Sequence, residues 1–143
     1  AAELVAACKQ AGLKVLLVSG GFTYFTDRVR DLLGVDYTRS NVLELADGRL
    51  TGRMVDQPWG DICDGAEKRR MLLQTCERWG LQAHQAIAVG DGANDLGMLT
   101  RAGLGVALHA KPSVAAQCNV RINFGDLTAL LFVQGYPASE FVT

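Results

Sequence analysis

QAIAVGDGANDLGMLTRAG, residues 85–103, decides the fold, because its pattern changes in the middle. Gln85 to Gly90 forms an apolar run that predicts a strand buried on both faces. From Ala93 the apolar residues recur at helical spacing and Gly103 closes the segment, which predicts a helix. A buried strand that passes through Gly90-Asp91-Gly92 into a helix is the start of a parallel β-α unit. The same arrangement occurs upstream. KVLLVS (14–19) is a continuous apolar run, and GFTYFTDRVRDLLG (21–34) places Phe22, Phe25, Val29, Leu32 and Leu33 on one helical face before Gly34.

The remaining segments extend this pattern. Residues 3–11 predict a helix with Leu4, Cys8 and Ala11 on one side, stopped by Gly12. VLELADGRLTGRMV (42–55) predicts a hairpin, since Asp47-Gly48 sits between two strand-like runs. Asp64 with Glu67 three residues on is a capping-box start. Met71, Leu72, Cys76 and Trp79 then follow at helical spacing up to Gly80. GVAL (105–108) and VRIN (120–123) predict short strands. KPSVAAQC (111–118) predicts a helix with Pro112 in its first turn, and DLTALLFVQG (126–135) a final helix. Alternating strands and helices predict an α/β fold with a mostly parallel sheet flanked by helices, plus the small hairpin.

Composition narrows the function classes. A chain of 143 residues with 49% hydrophobic content suits one compact domain with a sizeable core. Fourteen basic and fifteen acidic residues nearly cancel and form no run, which argues against a nucleic-acid partner. No apolar stretch approaches the roughly 20 residues that cross a bilayer, and the opening AAELVAACKQ lacks a basic leader, so neither a membrane partner nor a signal peptide is expected. Cys8, Cys63, Cys76 and Cys118 form no metal-finger spacing and predict reduced thiols in a cytoplasmic protein. An Ala rather than a Met at the start predicts a trimmed chain.

In sheets of this kind ligands sit beyond the carboxyl ends of the strands. Two tips therefore matter: Ser19-Gly20-Gly21 and Gly90-Asp91-Gly92. The first has two readings of about equal weight. It is a tight turn that needs glycine, or an anion seat in which glycine lets a phosphate approach backbone N–H groups. The second is more specific. Asp91 follows a buried strand and Asp95 lies four residues on, an oxygen-donor pair suited to Mg2+. Turn preference explains Asp91 alone and helix-dipole placement explains Asp95 alone, but together they explain the decapeptide GDGANDLGML poorly. Asn94, between them, is a phosphate donor or a partner for its own turn. Lys68 is ordinary helix charge unless it points at the same tips.

VSGGF, the lysine in DGAEK and GDGANDLGML, in this order, resemble the second, third and fourth motifs of the haloacid dehalogenase (HAD) superfamily. VSGGFTYFTDRVRDLLG, DGRLTG, AGLGVALHAKP and the LLFVQGY ending bring the resemblance close to the phosphoserine phosphatase family within it, over almost the whole chain. The resemblance implies a Rossmann-like HAD core over residues 1–143 and Mg2+-dependent hydrolysis of O-phospho-L-serine through an aspartyl-phosphate. It implies that Ser19 and the Gly20 backbone bind the phosphoryl group, as does Lys68, which also balances charge. It implies Asp91 as metal ligand, Asn94 as substrate contact, and Asp95 as support for Lys68 and the outer shell of the metal. His109 reads as an incidental loop histidine and His84 as surface.

The same resemblance calls for a nucleophile in a D-x-D motif on the first strand, followed by a helical cap. None of the ten aspartates stands two residues from another, and DRVRD (27–31) and DICD (61–64) have the wrong spacing. The expectation is the C-terminal portion of a longer phosphatase, with first strand and cap absent. The alternative is a non-catalytic module that binds phosphate or metal. A third possibility, a piece of a cation-pump phosphorylation domain, fits poorly because Leu96-Gly97 stands where pumps place Ala-Pro. The absent strand belongs between those ending at Ser19 and Gly90. Two outcomes follow. Either strands 14–19 and 85–90 pair directly, or a missing segment or second copy fills the gap, which allows a homodimer or association through the open sheet edge.

Overall fold

The structure, a computed structural model, describes residues 1–58 and 62–140; Asp61 of the DICD stretch lies outside the described residues. Helix α1 (Ala2–Gln10) leads into strand β1 (Leu16–Phe22) and helix α2 (Thr23–Leu33). Strands β2 (Tyr37–Asn41), β3 (Leu43–Ala46) and β4 (Arg49–Met54) precede the long helix α3 (Gly65–Arg78). The second half alternates β5 (Ile87–Gly90), α4 (Leu96–Arg101), β6 (Leu104–Leu108), α5 (Pro112–Ala115), β7 (Val120–Ile122) and α6 (Ala129–Val133).

Local chemistry explains the element ends. Gly34 takes φ 74° and donates to the Arg30 carbonyl at 2.7 Å, a left-handed stop that a residue with a Cβ resists. Asp47 and Gly48 both have positive φ, 51° and 75°, as the two-residue hairpin turn requires. The Asp64 carboxylate accepts from the Glu67 N–H and so caps α3. Only half of the expected capping box forms, because the Glu67 carboxylate turns instead to Arg39 and Arg70.

The strands form two parallel sheets and one hairpin. In the first sheet β1 pairs with β2, and in the second the order is β5-β6-β7. Leu72 and Cys76 of α3 pack with Ala88 of β5, Leu99 of α4, Ala102 just after it and Val114 of α5, while Val106, Ile122 and Leu130 form a neighbouring cluster. The turn between α4 and β6 lies so close to the segment joining α3 to β5 that glycine is required there. A Cβ on Gly103 would lie 1.8 Å from the His84 carbonyl oxygen, an atom fixed in the backbone. Gly103→Ala should therefore lower the unfolding free energy by about 3 kcal/mol, read from a denaturant midpoint.

Four sequence expectations change. Strand β1 runs on through Ser19–Phe22, so the first tip is an irregular part of a strand rather than a turn after one. Its residues are half-buried, with Gly20 exposed, and Ile87 of β5 is also exposed, so neither strand is covered on both faces. The face of α2 read as apolar points outward at Phe25 and Leu32, 63% and 83% exposed, and the buried residue of that helix is Thr26. Strand β2, polar in sequence, was not expected; its inward residues Ser40 and Asn41 are buried because they hydrogen-bond to α2, β1 and residue 63.

The central gap is settled in one respect. Strands β1 and β5 belong to separate sheets and do not pair directly. Between them lies a groove of about 650 Å³, lined by Leu16 and Val18 of β1, Ile87 and Val89 of β5, and Leu72 and Cys76 of α3. This apolar slot lies where the resemblance places the strand of the nucleophile.

Candidate functional site

The site is built around the N-terminus of α3, which touches both strand tips. On one side, the Asn41 amide donates to the Gly20 carbonyl at 3.0 Å and accepts from the Cys63 N–H at 2.6 Å. On the other, Gly65 meets the backbone of Asn94 so closely that a Cβ there would lie 2.9 Å from the Asn94 carbonyl oxygen. Ser19-Gly20, Lys68 and Asp91–Asp95 are far apart in sequence, and α3 draws them together.

Lys68 is not surface charge. It is 7% exposed, and its Nζ donates to Asp95 Oδ1 at 2.7 Å, so the ammonium is aimed at the tip of β5. The other oxygen of Asp95 accepts from the Asp91 and Gly92 N–H groups at 3.1 and 3.2 Å. Burial pushes the Asp95 carboxyl up. The Lys68 ammonium and the Gly92 and Asp91 N–H groups outweigh that and hold it below the usual carboxylate range. A carboxyl whose folded pKa lies below its unfolded value stabilises the fold fully above that unfolded value, about 3.9. That stability is lost as pH falls through the lower folded value. The stability difference between the wild type and Asp95→Asn, followed by urea midpoints, should thus be constant near neutrality and narrow as the pH drops through the acid range.

The two carboxylates are sorted by this arrangement. Both oxygens of Asp95 are occupied, whereas Asp91 is exposed and its carboxylate has no hydrogen-bond or ion-pair partner among the described residues. A hard cation such as Mg2+ takes oxygen ligands and commonly binds through one or two carboxylates, waters and substrate phosphate. Asp91 fits that donor role. The described residues contain no group of three or more acidic, cysteine or histidine side chains able to enclose a metal alone. Asn94 is exposed beside Asp91.

Neither Gly20 nor Gly21 takes a left-handed φ, and a Cβ on Gly20 would meet only the Cys63 carbonyl oxygen at an ordinary 3.7 Å. Internal packing therefore does not demand glycine at Gly20, which weakens the plain-turn reading. Ser19 Oγ accepts from the Gly21 N–H at 3.0 Å, which leaves its own proton available to an anion.

Sequence reasoning missed Asn41, Arg39 and the buried Glu67. Glu67 accepts from Arg39 at 2.6 Å and from Arg70 at 2.8 Å, tying the first sheet to the helix that carries Lys68. Their signal was weak, because β2 was not expected. Burial and the Glu67 carboxylate push the Cys63 thiol up, so it stays protonated. His109 is exposed and pairs through Nε2 with the Gly125 carbonyl at 2.6 Å; His84 is exposed. No helix among the described residues is long and apolar enough to cross a membrane.

The chain is similar over most of its length to known proteins. Over 131 residues the chain is 72% identical to a phosphoserine phosphatase of Polaromonas sp., covering 92% of this chain and 56% of that protein. It superposes on a crystal structure of a probable phosphoserine phosphatase from Vibrio cholerae with a TM-score of 0.87 at 41% identity, over 92% of this chain and 40% of that one. A structure described as a phospho-aspartyl intermediate analogue of phosphoserine phosphatase matches with a TM-score of 0.83 at 33% identity, over 92% of this chain and 61% of that one. The chain thus spans between 40% and 61% of the length of these relatives. The family model for the haloacid dehalogenase-like hydrolases matches residues 1–100, across both strand tips and the helix that joins them, and the chain belongs to that family.

Proposed function

We propose that residues 1–143 form the C-terminal portion of a longer Mg2+-dependent phosphomonoester hydrolase that converts O-phospho-L-serine to serine and phosphate. The observation that carries this is the contact of the α3 N-terminus with both strand tips, which sets a buried ammonium beside an exposed carboxylate and a glycine-lined backbone. The choice of substrate rests on the names of the relatives and on the resemblance of the motifs.

In this reading Ser19 and the Gly20 backbone hold phosphoryl oxygens through O–H and N–H donors, and Asn94 contributes a further donor. Lys68 neutralises charge that develops on the transferred group; its position is fixed by Asp95 rather than by solvent. Asp91 supplies an oxygen to Mg2+, which when bound would balance phosphate charge. The attacking carboxylate comes from outside residues 1–143, on a strand that fits the groove between β1 and β5. Small-residue and backbone donors in this chain position the phosphoryl group, and the segment outside it selects the serine end.

A second reading, a non-catalytic phosphate or metal binder, is favoured for residues 1–143 alone by the lack of any D-x-D pair. A panel of phosphomonoesters tests the first reading. The longer protein should release phosphate from O-phospho-L-serine with the highest kcat/KM of the panel, and binding without turnover by that longer protein would favour the second.

A further inference from the structure

Strand β1 carries three residues, Ser19, Gly20 and Gly21, between those facing Arg39 and Asn41, where β2 carries one, Ser40. Two extra residues bulge out of the ladder at the proposed phosphate seat. A bulge frees N–H groups for a ligand, but it also leaves carbonyls without their ladder partners. The Gly20 carbonyl is one of these, and it is satisfied by a side chain, the Nδ2 of Asn41 at 3.0 Å. Asn41 is 5% exposed, and its Oδ1 accepts from the Cys63 N–H. The two partners fix the amide orientation, because the flipped amide would set oxygen against oxygen and N–H against N–H.

The peptide between Gly20 and Gly21 has a glycine on each side, so little steric resistance opposes its rotation. Rotated, it would break the Gly21 N–H bond to Ser19 Oγ and set a carbonyl oxygen against that hydroxyl, which would then donate to the carbonyl and not to an anion. Cys63, the other partner of Asn41, directly precedes the cap of the helix that carries Lys68. One buried side chain therefore holds both the seat and the start of the lysine helix.

We infer that Asn41 is a positioning residue, one that locks the Gly20–Gly21 peptide so that its N–H stays on Ser19 Oγ, which leaves the Ser19 proton aimed at the phosphoryl group, and that keeps the α3 N-terminus in register with this seat. This rests on the phosphatase reading above. Asn41→Asp keeps the acceptor for Cys63 and puts an oxygen where the donor to Gly20 stood. In the longer protein it should lower kcat on O-phospho-L-serine by about 10²-fold, with KM affected much less, as expected when a donor is misaligned rather than lost. Ser40→Ala removes the neighbouring buried hydroxyl, which pairs with Thr26 at 2.8 Å, and serves as the structural control. It should lower the thermal midpoint while leaving kcat unchanged at a temperature where both variants are folded.

Amide hydrogen exchange over residues 19–22 and 62–65 supplies a readout independent of turnover, and it should quicken in Asn41→Asp but not in Ser40→Ala. Wild-type kcat in Asn41→Asp, or a loss of kcat in Ser40→Ala as large as that in Asn41→Asp, would overturn the inference. Should the wild type itself not turn over O-phospho-L-serine, the proposed function fails. The exchange measurement then decides alone, with unchanged protection at 19–22 in Asn41→Asp counting against Asn41.

Discussion

Asp91→Asn in the longer protein should abolish Mg2+-dependent phosphate release, a loss of about 10³-fold or more, because a metal-ligand charge at a transferring phosphoryl group contributes several kcal/mol. The same change should leave stability within about 0.5 kcal/mol of wild type. The structure separates these outcomes. Asp91 is exposed, and its carboxylate has no partner among the described residues, so nothing in the fold depends on its charge. Its backbone N–H, which does hold Asp95, is untouched by the substitution. Matched urea curves and initial rates would show an enzyme fully folded and inactive. Wild-type turnover in the variant would remove Asp91 from the site.

Lys68→Met should lower kcat by about 10³-fold, for a different reason and with a different stability signature. Lys68 is buried against Asp95, and removing one member of a buried pair leaves the other uncompensated at a cost of about 3–5 kcal/mol. Asp95 keeps two backbone N–H donors, so the expected loss lies near the lower end of that range. Combining Lys68→Met with Asp95→Asn removes the stranded charge. The double variant should regain stability without regaining turnover, and the cycle isolates the coupling between the two. If stability and turnover return together, Lys68 acts only as a structural partner of Asp95.

The legibility of this chain in its sequence followed the hydrophobic signal. Strands β5, β6 and β7 and helix α3 announced themselves through apolar runs, the Asp64 cap and the glycine stops, and the fold class follows from their alternation. Strand β2 did not, because Ser40 and Asn41 are buried through hydrogen bonds and not through apolar area. The face of α2 misled for the opposite reason: Phe25 and Leu32 are at helical spacing yet exposed. At the site, the spacing of Asp91 and Asp95 pointed to an oxygen-donor tip, but only geometry separates the free carboxylate from the one held by Lys68. The burial of Lys68 could not be read at all, since residues 27 apart are joined by packing and not by pattern. Asn41 escaped because its role depends on a bulge in a neighbouring strand.

In the proposed enzyme this chain holds the phosphate seat and the Mg2+ ligand, while the attacking carboxylate enters on a strand from outside it. Phosphate release from O-phospho-L-serine, measured with and without Mg2+ for the longer protein and for residues 1–143 alone, tests this most directly. Mg2+-dependent turnover by the longer protein, and none by residues 1–143, is the expected result. Turnover by residues 1–143 alone, or none by the longer protein, would contradict it.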